Sequence, residues 1–191
     1  MNKVAILRNE IDLIKHPILQ LLVEECIENA PDYFFTMPAS TTGKFHPAYT
    51  LGEGGLIKHT KAAVRIANDL LNLEQNKHLP KDEIIAALIL HDSIKKGKDG
   101  SKYTVTEHPL YAAEFIQEQF DEFIETYTGD EYELKQQVES VQRLIRSHMG
   151  QWNSDYRSGK ELLPKPQEED EKLVHICDYL ASRKYLACEV E

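Results

Sequence analysis

Cysteine is scarce in this chain and odd in number: Cys26, Cys177 and Cys188 are all there is. No Cys-x-x-Cys spacing joins them, so neither a disulfide framework nor a thiolate zinc site is expected, and a reducing cytoplasm is the expected location. Positive charge is also in deficit. Lys plus Arg number 22 against 32 Asp plus Glu, a formal net charge of -10, which opposes sequence-independent binding to duplex nucleic acid or to an anionic membrane. A small phosphorylated ligand stays compatible, because a local cluster of cations inverts the global sign. No window approaches 18 uninterrupted apolar residues, and the opening MNKVAILRNEIDLIKH carries charge throughout, so neither a membrane span nor a signal peptide is expected. Nucleotide and nucleophile motifs are missing as well. GKFHPAYT and GEGG do not supply the Gly-x-x-x-x-Gly-Lys-Ser/Thr form of a P-loop, no Gly-x-Ser-x-Gly elbow occurs, and the cysteines lie in apolar helical contexts that suit small core residues.

What the chain does have is helical periodicity. At 191 residues and 41% apolar composition it has material for one sizeable core, so residues 1–191 are expected to form a single domain. Apolar residues recur at three- and four-residue intervals in about six segments, roughly 10–29, 56–75, 82–96, 108–127, 131–149 and 169–188. Alternating strand patterns are nearly absent, and the one β-branched patch, Tyr103 to Thr106, is bounded by Gly100 and Pro109 as a connection. The expected fold is therefore an all-α, single-domain helical bundle of about six main helices. Two connections, Thr36 to Gly55 and Gly150 to Asp170, are long and rich in Gly, Pro, Ser and Thr. Loops of that length in compact domains tend to be functional, and they are expected to wall or cover a site.

The eight histidines are sorted by their place on these stripes. His59 shares a face with Ala63, Ile66 and Leu70; Ala87 and Leu88 lead to His91, with Asp92 beside it; Val141, Leu144 and Ile145 lead to His148; and Val174 and Ala181 flank Asp178. His108 precedes Pro109, at the entry to a helix. His16, His78 and His175 are assigned no chemistry. One inward histidine bonded to a backbone carbonyl would be ordinary. Six such groups together need a shared compensation, because buried carboxylates and imidazoles cost desolvation free energy. Divalent cations supply it, and nitrogen with carboxylate oxygen suits Zn, Mn, Fe, Co or Ni.

The order His59, His91-Asp92, His108, His148, Asp178 resembles the HD-domain metal-dependent phosphohydrolase superfamily, over about residues 45–185. The resemblance implies an HD-type bundle in which His59, His91, Asp92 and Asp178 hold one metal and Asp92 bridges to a second held by His108 and His148, with Mg added to the eligible ions. Only His148 stands in RSHMGQW where many two-metal members have a double histidine. By the same resemblance Asp92 and Lys95, in HDSIKKG, are the catalytic pair, with Lys95 reaching a substrate phosphate. Arg183 is a further candidate for phosphate neutralisation. A narrower resemblance lies in MPASTTGKFHPAYTLGEGGLIKHT, which is similar to the approach to the first metal histidine in the HD domain of bacterial 3'-to-5' exoribonucleases. It implies that His46 and the Gly52 to Gly55 turn lie near the site, with His46 binding substrate. Nothing in the chain is long or basic enough to be the OB-fold module of that family.

The expected activity is thus hydrolysis of a phosphoester or phosphodiester bond in a nucleotide or short oligonucleotide by metal-activated water. Two other readings stay open: a metal- or nucleotide-binding sensor or adaptor without catalysis, and an HD-type di-iron oxygenase. The expected partners are small phosphorylated compounds, with no duplex nucleic acid and no membrane, and a homo-oligomer stays open. Trp152, Tyr156, Tyr49 and Phe45, all in the long loops, are candidates to stack on a base.

Overall fold

The computed structural model describes residues 2–40, 42–98 and 100–186. They form helices α1 (Lys3–Ile6), α2 (Arg8–Ile11), α3 (Pro17–Asn29), α4 (Asp32–Thr36), α5 (Gly55–Leu71), α6 (Lys81–Leu90), α7 (His108–Ile124), α8 (Glu131–Ser147) and α9 (Glu169–Ala181). Among the described residues there is no strand, only an isolated antiparallel bridge between Ser154 and Glu161. The all-α expectation is met, and no helix is long and apolar enough to cross a membrane among the described residues.

The centre of the bundle is α6. Every residue from Ile84 to Leu90 is buried, the pattern of a helix surrounded on all sides. It packs against α3, α5, α8 and α9, while α7 lies along α8 and α9 along α5. Burying this continuous apolar column is the main stabilising term, at about 25 cal/mol per Å² of apolar surface removed from water.

Element boundaries differ from the periodic segments where local chemistry intervenes. The helix expected over 10–29 begins only at Pro17. His16 is extended ahead of the proline ring, and its Nδ1 accepts the amide hydrogen of Leu19 as a cap. The upstream apolar residues instead form the short α1 and α2, and α4 carries no periodic signal at all. The segment expected to reach residue 96 leaves α-helix at Leu90 and continues in three-residue turns, with Ser93 N bonded to Leu90 O, Lys95 N to Asp92 O and Gly97 N to Ile94 O. The segment starting at residue 56 stops at Leu71, and the last one stops at Ala181; Cys188 lies outside the described residues. Cys26 and Cys177 are buried and unpaired by disulfide; burial pushes the Cys177 thiol up to about 12 and raises that of Cys26 further in the same direction, beyond the reach of thiolate chemistry at neutral pH.

Candidate metal centre

Five helices deliver the predicted side chains to one place. His91 is the residue immediately after α6, His148 immediately after α8, and His108 is the first residue of α7. His59 sits one turn into α5 and Asp178 near the end of α9. In space the rings of His59 and His91 are 5.5 Å apart, those of His91 and His148 5.0 Å, and those of His108 and His148 5.2 Å. The two carboxylates lie between them. Asp178 Oδ1 is 2.9 Å from His59 Nε2 and 3.7 Å from His91 Nε2. Asp92 divides its oxygens: Oδ2 is 3.4 Å from His91 Nε2 and 3.9 Å from His59 Nε2, whereas Oδ1 is 3.1 Å from His108 Nε2. One carboxylate therefore faces both halves of the cluster.

Backbone geometry fixes which nitrogen each ring presents. His91 Nδ1 lies 2.7 Å from Leu88 O, His108 Nδ1 2.8 Å from Val105 O, and His148 Nδ1 2.7 Å from Ile145 O. A carbonyl only accepts, so each Nδ1 carries the hydrogen and donates it, and in the neutral ring the Nε2 lone pair is left to point at the cluster. This is the arrangement of metal-binding histidines, whose second nitrogen is held by a carbonyl or carboxylate. Nε2 of His91 and of His108 are fully buried with no hydrogen-bond partner, a costly condition that a cation relieves. Two triads, His59–His91–Asp178 and His91–Asp92–His148, each offer ligand atoms within 4.8 Å of one another. The donor set fits one or two divalent ions of the nitrogen–oxygen type.

Electrostatics agree with that fit. Burial works to raise the Asp92 carboxyl, but Lys95, His91 and His108 outweigh it and hold it well below the usual carboxylate range. Asp178 is held low in the same way, against burial, by His59 and His91. Burial lowers His91, yet the two carboxylates overcome it and raise the ring to about 10: positive charge is drawn to this spot. His148, lowered to about 3 by burial and by the neighbouring His91, stays neutral.

Above the cluster opens a cavity of about 350 Å³, at the small end of ligand pockets. Both long connections contribute to its wall, Ala39, Ser40, Phe45 and His46 from one and Trp152 from the other, together with Lys95, Tyr179 and Arg183. His46 stands with its ring 5.8 Å from that of His59, and burial with the adjacent His59 lowers it to about 4. Lys95 Nζ donates to Asp92 Oδ2 at 2.5 Å, so its ammonium is held over the shared carboxylate rather than in bulk water. Arg183 reaches the cavity between rings, 4.3 Å from the Tyr179 centroid and 5.3 Å from that of Phe45.

Three expectations need correction or addition. The Gly52 to Gly55 turn, expected near the site, leads into α5 one turn before His59 and does not itself line the cavity. It serves close backbone approach, since a Cβ on Gly55 would lie 2.0 Å from Thr50 O. Tyr156 and Tyr49 do not line the cavity either, Tyr156 being 99% exposed. Conversely His175, assigned no chemistry, donates from Nδ1 to the backbone carbonyl of His148 at 2.7 Å, and its Nε2 is 3.1 Å from Gln151 Oε1. Its ring fills the space against Gly150, where a Cβ would come within 2.3 Å of it and where φ is +56°. The one sequence signal for this contact was the glycine two residues after His148.

A family model described as HD domain matches residues 56–183, a span that takes in all six clustered side chains and Arg183. Comparison with curated proteins and with solved structures finds no match.

Proposed function

The chain belongs to the HD-domain family, and on that premise we propose that it is a metal-dependent phosphohydrolase acting on a phosphoester or phosphodiester bond of a nucleotide or short oligonucleotide. The observation that carries this reading is the set of three imidazoles with Nδ1 committed to backbone carbonyls, so that Nε2 converges on Asp92 and Asp178. His59, His91, Asp92 and Asp178 would hold one ion, and Asp92, His108 and His148 a second. Divalent ions held there supply Lewis acidity toward a phosphoryl oxygen and acidify water at neutral pH.

The remaining work falls to the chain. Asp92, ionised and facing both halves of the cluster, fixes the spacing of the ligands. Lys95 and Arg183 place two cations on the cavity wall, where charge developing on a transferring phosphoryl group is stabilised without reorganisation. His46, uncharged at neutral pH, offers a hydrogen bond rather than a charge. Burial of the cluster excludes bulk water, which strengthens each of these interactions.

The test is turnover of nucleotides, cyclic dinucleotides, dinucleoside polyphosphates and short RNA with Mn, Fe, Ni or Co added. At least one substrate is expected to be hydrolysed in a metal-dependent way, with activity lost in His91→Ala and Asp92→Ala. Activity that survives both substitutions would sink the assignment. Oxygen uptake by the iron-loaded protein would redirect it to oxidation, and tight binding without product to a sensor.

A further inference from the structure

The cavity wall carries a feature that hydrolysis alone does not call for. Trp152 and Tyr179 stack at 5.6 Å with ring planes 16° apart, Arg183 lies 4.3 Å from the centroid of Tyr179, and the same guanidinium lies 5.3 Å from the centroid of Phe45. A continuous row Trp152–Tyr179–Arg183–Phe45 thus borders the metal cluster, all four residues lining one cavity. Its two ends are half exposed: Trp152 is 45% exposed and Phe45 51%. Large aromatic side chains left partly open on the wall of a mostly apolar cavity with a few convergent charged groups are what a ligand surface consists of.

The row is held in place from several sides. Lys184 N donates to Phe45 O at 2.7 Å, tying the loop to the end of α9. Ala39 N donates to Thr50 O and Thr50 Oγ1 to Pro47 O, bracing the same loop. Trp152 also meets the ring of His175 at 6.1 Å, and Arg183 Nε and Nη2 donate to Ser182 Oγ. Rigid aromatic surface costs little ordering entropy when a ligand arrives. Cations accompany it, with Lys44 Nζ 5.0 Å from the Phe45 centroid and Lys95 on the cavity wall beside Asp92.

Resting on the phosphohydrolase reading of the same cavity, we infer that Trp152 and Phe45, seated by Tyr179 and Arg183, form a base-stacking ledge that selects phosphoesters carrying a nucleobase over sugar phosphates that lack one. Stacking uses the face every base possesses, so the selection is for a base rather than for one base in particular. A cavity of about 350 Å³ suits one nucleotide unit rather than several.

Trp152 is the sole tryptophan of the chain, so intrinsic fluorescence reports the ledge directly. Titrating the full chain with adenosine 5'-monophosphate in magnesium buffer is expected to quench Trp152 saturably, with ribose 5-phosphate competing about 5- to 150-fold more weakly, the range of one base–aromatic stack. In Phe45→Leu the ratio between the two ligands should shrink several-fold, while Tyr156→Leu, whose side chain stands outside the cavity, should leave it unchanged. Equal affinity for the two ligands overturns the ledge even if phosphate esters are hydrolysed. Quenching with base-dependent affinity but no hydrolysis of any ester upholds the ledge and removes the phosphohydrolase reading.

Discussion

At His148 a candidate ligand and its support come from two different helices. The imidazole is turned by its own Ile145 carbonyl, and the carbonyl of His148 itself is held by His175 from α9. Gly150 makes room for that contact with a left-handed φ of +56°. Gly150→Ala should therefore destabilise the protein by about 1–3 kcal/mol in urea unfolding and weaken divalent-ion binding about 10- to 100-fold by titration calorimetry. Adding His175→Ala to it should recover part of the stability, because the clash at 2.3 Å is with the imidazole ring. Five of the clustered side chains were legible because they end or interrupt an apolar stripe or adjoin a residue that does, and His108 because it precedes Pro109 at a helix entry. His175 was not, because its partner is a backbone carbonyl 27 residues away, which no side-chain pattern records.

At the scale of elements, α8 and α9 must stay in register for His148 and Asp178 to meet. Arg143 on α8 does part of this, donating from Nη1 and Nη2 to the two oxygens of Asp170 at 3.1 and 2.5 Å, with Glu171 at 3.3 Å. Burial tends to raise the Asp170 carboxyl, but the guanidinium outweighs it and the group titrates below its ordinary value. The native state therefore binds the Asp170 proton less well than the unfolded chain does. The stabilisation is complete above the unfolded value, about 3.9, and is lost as pH falls through the lower folded value. Arg143→Met should cost about 1–2 kcal/mol at neutral pH, a bidentate pair discounted for the partial exposure of the arginine. Denaturant midpoints measured from neutral pH down past 3.9 should show this loss shrinking toward zero in acid. Helix positions were readable from periodicity where the chain is long and apolar. The boundaries were not, since the ring of Pro17 and the single hydrogen bonds of Ser93 and the turns after Leu90 act locally and leave hydropathy unchanged.

Over the whole molecule, the two long connections and five helices share one destination, so a metal ion held there would couple its binding to global stability. A divalent ion at about 100 times its Kd stabilises by about 2.7 kcal/mol, which for a chain of this size corresponds to a Tm rise of about 5–10 °C. Scanning calorimetry should show that gain lost on chelation, and Asp178→Asn should remove most of it. Composition pointed to loops that wall a site, and Phe45, His46 and Trp152 are there. Arg183, a phosphate candidate from the sequence, lines the cavity too, but Tyr179 was not legible as part of the wall, because a loop's path over a helix depends on packing that no local pattern encodes.

His91 and His148 follow the last residues of α6 and α8, and this placement has an electrical consequence. Peptide dipoles aligned along each helix leave roughly half a negative charge at its carbonyl end. Two such ends meet there against the opposite, amide end of α7 at His108, leaving about half a negative charge that no acidic side chain supplies. Replacing Asp92 or Asp178 by its amide therefore leaves behind an attraction for cations that belongs to the backbone, and that substitution of side chains does not erase.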